Sequence, residues 1–129
     1  MKQVTINVSQ GIARITLDAP PVNTLDRPMV TQLGELLERC AGDDQVRALI
    51  VCGSGTRAFC AGSDLDELRA LIGRGREALA RKFAQDHEVF GRLADFPKPT
   101  VAAIEGAATG GGLELAVCCD FVVAAQDAR

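Results

Sequence analysis

The chain has 129 residues, 47% of them hydrophobic, and a formal net charge of −3. That length and apolar content suffice for one domain (1–129) with its own core and argue against disorder. Mild acidity has the wrong sign for a nucleic-acid footprint, and no apolar run approaches the length of a membrane span.

Val4, Ile6 and Val8 alternate with polar residues, which predicts a strand over 3–8 and not a signal peptide. Gln10-Gly11 marks a turn. Ile12, Ile15 and Leu17 then predict a second, antiparallel strand, ended by Ala19-Pro20-Pro21 because proline lacks the ladder donor. Asp26 suits an N-cap and Pro28 the first turn of a helix, with Met29, Leu33, Leu36 and Leu37 on one face up to about Cys40. Val46 to Cys52 is an almost unbroken apolar run, as expected of a strand covered on both sides.

Residues 53–63 form a glycine-rich loop of mobile composition, after which Asp64 is placed to cap a helical stretch. Gly73 and Gly75 interrupt it. A longer amphipathic helix over roughly 76–94 carries Leu79, Phe83, Val89, Phe90 and Leu93, and Pro97-Lys98-Pro99 stops it. Thr100 to Ile104 predicts another buried strand, residues 106–112 a second glycine loop, 113–117 a short helix and 121–125 a last strand. The order implies a layered α/β fold with one core.

Cys40, Cys52, Cys60, Cys118 and Cys119 include no CxxC pair and no zinc spacing, so they read as buried free thiols of a reducing, cytoplasmic setting, and no metal site is expected. His87, the single histidine, lies in the charged stretch QDHE and reads as a solvated surface residue, leaving a Ser-His-Asp triad little support.

Both glycine loops follow a buried strand and precede a helix, where backbone N–H groups are unpaired and glycine admits a ligand close to the chain. One such loop alone is most simply an ordinary strand–helix turn. Two together can turn an N–H each onto one carbonyl oxygen and form an oxyanion hole. Neither ends in Gly-Lys-Ser/Thr, neither carries GxGxxG after the first strand, and Ser63 sits on no GxSxG elbow. Glu114, two residues past the glycine run and flanked by Leu113 and Leu115, reads either as a carboxylate raised in pKa by an apolar setting or as a partly exposed first-turn glutamate.

Taken in order along the chain, VNTL at 22–25, RAFCAGSDLDEL at 57–68 and KPTVAAIEGAATGGGLELAVCCD at 98–120 resemble the motifs of the crotonase (enoyl-CoA hydratase/isomerase) superfamily. The resemblance implies an α/β, crotonase-like spiral of ββα turns, incomplete at the C-terminus, and an acyl thioester of coenzyme A as ligand. Ser63 and Gly111 fall where the family supplies its two oxyanion N–H groups; the family usually has a smaller residue at the first. Phe59, Cys60, Ala61, Gly62, Asp64, Leu65 and Gly110 fall in the segments that surround the ligand, and Glu114 matches an acid/base glutamate of the hydratases. The activity the resemblance implies is that of a lyase adding water to a 2-enoyl thioester, with an isomerase or a non-catalytic acyl-CoA-binding module as alternatives. It also implies no prosthetic group, coenzyme A being part of the substrate, and a trimer-based homo-oligomer. The family's second glutamate comes after the last strand, so this chain on its own is expected to be inactive. A truncated or proteolysed chain, a split gene, or half of a two-chain complex would each account for that ending. Val122 and Val123, short of cover, are expected to drive association.

Overall fold

Val4 and Ile6 pair across the Gln10-Gly11 turn with Leu17 and Ile15, so the first two predicted strands form an antiparallel hairpin. The computed structural model describes all of residues 1–129. Its elements are β1 (Gln3–Ser9), β2 (Ile12–Asp18), α1 (Arg27–Ala41), β3 (Ala48–Gly53), β4 (Ala58–Cys60), α2 (Leu65–Gly73), α3 (Arg76–Ala94), β5 (Thr100–Ile104), β6 (Ala107–Ala108), α4 (Gly111–Val117) and β7 (Phe121–Ala124). Beyond the hairpin every pairing is parallel, giving one sheet ordered β1-β2-β3-β5-β7 and a second, two-stranded sheet of β4 and β6.

The register sets the core. Ile15 lies beside Val51 and Val51 beside Ala102, so alternate residues of β2, β3 and β5 point to one face. Ala13, Ile15, Leu17, Leu49, Val51 and Ala102 are wholly buried there. Helix α1 covers this face with Met29, Leu33, Leu37 and Cys40, and α3 adds Val89, Phe90 and Leu93. Each buried leucine in this set contributes about 1.5–3 kcal/mol. Ile50 and Val101, on the opposite face, are only half-buried, so β3 is not covered on both sides as its continuous apolar run suggests.

Two polar devices lock the layers. Lys98 Nζ donates to the carbonyls of Cys40 and Asp43, both at 2.7 Å, and so ties the end of α1 to the start of β5. Asp120 accepts from Thr100 N at 2.9 Å while its own N–H donates to Thr100 Oγ at 2.8 Å, setting β7 beside β5. Residues matching the family's motifs at 98 and 120 therefore serve the frame.

Expectations change at the first glycine loop, on α3 and at Cys118. The loop at 53–63 is not simply mobile: Ala58–Cys60 is a buried strand paired with Ala107–Ala108 inside the second loop. Phe83 is half exposed instead of facing the core, and Lys82 takes its place in the buried stripe with Ala78, Val89 and Leu93. As expected, β7 is short of cover: Phe121, Val122 and Val123 are 62%, 48% and 61% exposed, and Leu113 and Val117 of α4 are exposed as well. Among the cysteines Cys118 is only half-buried, while the other four are buried; all five are free.

Candidate active site

The pairing of β4 with β6 brings the two glycine loops together, and two glycines let the backbones touch. Gly62 has φ +97°, and a Cβ there would lie 3.0 Å from Gly111 N and 3.1 Å from Thr109 O. Gly112 packs against the end of β4 so closely that a Cβ would lie 2.0 Å from Cys60 O. The contact seats the start of α4 directly on the turn between β4 and α2.

That seating exposes two N–H groups. Leu25 N donates to Gly62 O at 2.8 Å and Asp64 N to Leu25 O at 2.9 Å, so the Ser63 N–H between them points away from Leu25. Gly112 N donates to Thr109 O at 2.9 Å and Glu114 N to Gly110 O at 3.1 Å, and the Gly111 N–H has no protein acceptor either. A Cβ on Gly111 would fall 4.0 Å from Ser63 N and 3.9 Å from Glu114 Oε2, which places both donors and the carboxylate in one neighbourhood. Ser63, Gly111 and Glu114 line a cleft of about 640 Å³ with Leu25, Phe83 and Phe90 on its walls.

Glu114 does not sit in the apolar enclosure suggested by its two leucine neighbours. It is exposed, because successive helical residues turn by about 100°: Leu115 enters the core and Leu113 points to solvent, while Glu114 faces the cleft. Its charge is felt at Cys118 on the same cleft, whose thiol is raised above the ordinary value first by burial and then by that carboxylate.

The other predicted ligand residues divide. Phe59 and Cys60 are core residues with no exposure, and burial pushes the Cys60 thiol up to about 11, so neither side chain meets a ligand in the cleft. Their strand is too short to be separated from loop by periodicity. Leu65 is 63% exposed on the first turn of α2 and lies off the cleft wall. Ala61 is half-buried and Gly110 exposed, both at the loop contact, where Thr109 Oγ1 donates to Ala61 O at 3.2 Å. Asp64 is a cap: it accepts from Glu67 N at 2.9 Å and pairs with Lys2, whose ammonium holds the carboxyl below its usual range. His87 is exposed as expected, at the cleft rim.

Two residues with large roles are not marked as such by the sequence. The buried Asn23 side chain accepts from Ala19 N at 3.0 Å and donates to Ser54 O at 3.0 Å and Ala58 O at 2.8 Å, stapling the 19–25 turn to the first half of the first glycine loop. Its one signal is the asparagine of VNTL. Lys82, only 2% exposed, donates to Ser63 Oγ at 2.8 Å and forms an ion pair with Asp86. No helix in the molecule is long and apolar enough to cross a membrane.

Comparison with known proteins bears on the family and the fold. The enoyl-CoA hydratase/isomerase family matches residues 7–129. The chain is 40% identical to a probable enoyl-CoA hydratase of Bacillus subtilis (strain 168), over all of this chain and 49% of that protein. It is 43% identical to the mitochondrial enoyl-CoA hydratase domain-containing protein 2 of Bos taurus, over 93% of this chain and 40% of that one. It superimposes on the crystal structure of an enoyl-CoA hydratase from Polaromonas sp. JS666 with a TM-score of 0.93 at 32% identity, over 98% of this chain and 49% of the other. The chain thus spans about half the length, or less, of the curated relatives it matches. The ordered motifs, the ββα spiral and these matches together place the chain in the enoyl-CoA hydratase/isomerase family, within the crotonase superfamily.

Proposed function

We propose that this chain holds the thioester end of a 2-enoyl-CoA and, in its complete catalytic form, adds water across the conjugated double bond. The observation that carries the reading is the convergence of the Ser63 and Gly111 N–H groups, both without protein acceptors, beside Glu114 in one cleft. Two preorganised donors stabilise negative charge that grows on the thioester oxygen as water attacks the β-carbon and the double-bond electrons move to that oxygen. Collapse of the enolate with protonation at the α-carbon completes the addition. Glu114 is the free carboxylate at the cleft and is assigned the proton transfer. The other one, Asp86, is tied to Lys82. With a single free carboxylate, the chain by itself should bind such thioesters better than it turns them over.

The exposure of Glu114 favours a second reading, a non-catalytic acyl-CoA-binding module, and an isomerase moving the double bond would share the same enolate stabilisation. Glu114→Gln decides. In the complete catalytic form, loss of the conjugated-thioester absorbance of a 2-enoyl-CoA should slow by about 10²- to 10⁴-fold in the variant, with thioester affinity kept. Unchanged turnover would remove Glu114 from the chemistry, and failure of wild-type protein to bind any coenzyme A thioester would remove the reading itself.

We further propose that the apolar strip of Phe121, Val122, Val123 and Val117 is an association surface, and that the protein works as a homo-oligomer. In sedimentation velocity the chain should show concentration-dependent species larger than a monomer. A single monomer boundary throughout a dilution series would dispose of this surface.

A further inference from the structure

Helix α3 turns its buried stripe inward through Ala78, Lys82, Val89 and Leu93. A lysine in such a stripe is costly, since taking an ammonium out of water is unfavourable even after relaxation. A methionine of similar length would pack there without that cost. The charge is nevertheless kept, and the Lys82 side chain reaches three groups: the Asp86 carboxylate as an ion pair, the Phe83 ring with its centroid 5.1 Å away, and Ser63 Oγ at 2.8 Å. The first two lie on its own helix. The third belongs to the residue that offers an unpaired N–H to the cleft.

The hydrogen-bond direction gives this contact its meaning. An ammonium only donates, so Ser63 Oγ is the acceptor and its own hydroxyl hydrogen remains to be given away. No carbonyl or carboxylate of the protein takes it, and Ser63 lines the cleft. A hydroxyl that accepts from a cation is polarised and becomes a stronger donor. Resting on the acyl-thioester reading above, we propose that Ser63 is a double donor to the ligand's carbonyl oxygen, through its backbone N–H and its hydroxyl. Lys82 is then the positioning residue that orients and polarises that hydroxyl, and Asp86 holds the lysine in place. The chain thus carries a side-chain addition to its oxyanion hole, wired to a buried ion pair.

The test uses the full chain and an arylacryloyl thioester of coenzyme A as probe, because its absorbance moves to the red as the carbonyl is polarised. Wild-type protein should bind the probe and shift it. Ser63→Ala and Lys82→Met should each cut the shift to about half or less while changing probe affinity by no more than about threefold. The double variant should lose no more than either single one, since the two residues act as one unit. Lys82→Arg, which keeps a donor and the charge, should recover part of the shift. Ser63→Ala removes only a hydroxyl from a half-buried site, so it decides the matter even where Lys82→Met fails to fold. A full wild-type shift in Ser63→Ala, or additive losses in the double variant, would overturn the inference and leave the thioester reading standing. Binding without any red shift in the wild-type protein would sink both.

Discussion

At the junction of β4 and α2 the chain is held by charged and polar side chains, whereas at the junction of β6 and α4 it is held by nearly bare backbone. The first has Asp64 capping α2 and paired with Lys2, and Lys82 on Ser63 Oγ. The second starts its helix on Gly110, Gly111 and Gly112 with no side-chain cap, and Gly112 lies against the Cys60 carbonyl. Each presents one free N–H to the same cleft. A donor fixed by charges should respond to pH and to charge removal. A donor fixed by close approach should ignore both and fail with the first added carbon.

Gly112→Ala attacks the packed junction and carries the largest expected effect. Its Cβ would stand 2.0 Å from Cys60 O, and because both partners are backbone, β4 or α4 has to move. Equilibrium unfolding in urea should show a loss of about 3 kcal/mol or more, at the upper end of overpacking costs. The loss should be the same at every pH where the protein is folded. A variant as stable as wild type would mean that contact with β4 does not seat α4.

The same contrast explains how much could be read from the sequence. The hairpin and α1 carry clear periods of two and 3.6, β3 and β5 are apolar runs between turn signals, and the boundaries of all of them fall within about two residues of expectation. Ser63, Gly111 and Glu114 were legible through the ordered family motifs, since spacing alone leaves each glycine loop as an ordinary strand–helix turn. β4 and β6 were not, since strands of three and two residues carry no period of their own. Lys82 and Phe83 were exchanged for a different reason. One residue along a helix is a rotation of about 100°, and hydropathy assigns the phenylalanine to the core unless a partner for the lysine is known. That partner, Ser63, lies 19 residues away in sequence and only the fold brings it near. The sequence leaves the surroundings of Glu114 open between an apolar setting and an exposed first turn, and the fold selects the second because residues adjacent in a helix do not share a face.

Asp64→Ala attacks the charged junction and carries the smaller effect, but its pH dependence is the sharper probe. Losing the cap on Glu67 N and the pair with Lys2 should cost about 1 kcal/mol at neutral pH, most of it from the cap. The Lys2 hydrogen bond, followed by that of Glu67 N, lowers the folded pKa of Asp64 beneath its unfolded value of 3.8. The unfolded chain therefore takes up the proton first, so the carboxylate's contribution is fully present above pH 3.8 and is lost as pH falls through the folded pKa. Lys2 is raised above 10.5 by the same hydrogen bond, so its share is present below that value and is lost as pH rises through the folded pKa. The stability gap between wild type and Asp64→Ala should thus be a plateau at neutral pH that closes toward strong acid and narrows in strong base. The gap for Gly112→Ala should run flat over the same range. If the Asp64→Ala gap were also flat from about pH 2 to pH 7, charge would not be what holds the first junction, and both donors would owe their place to packing alone.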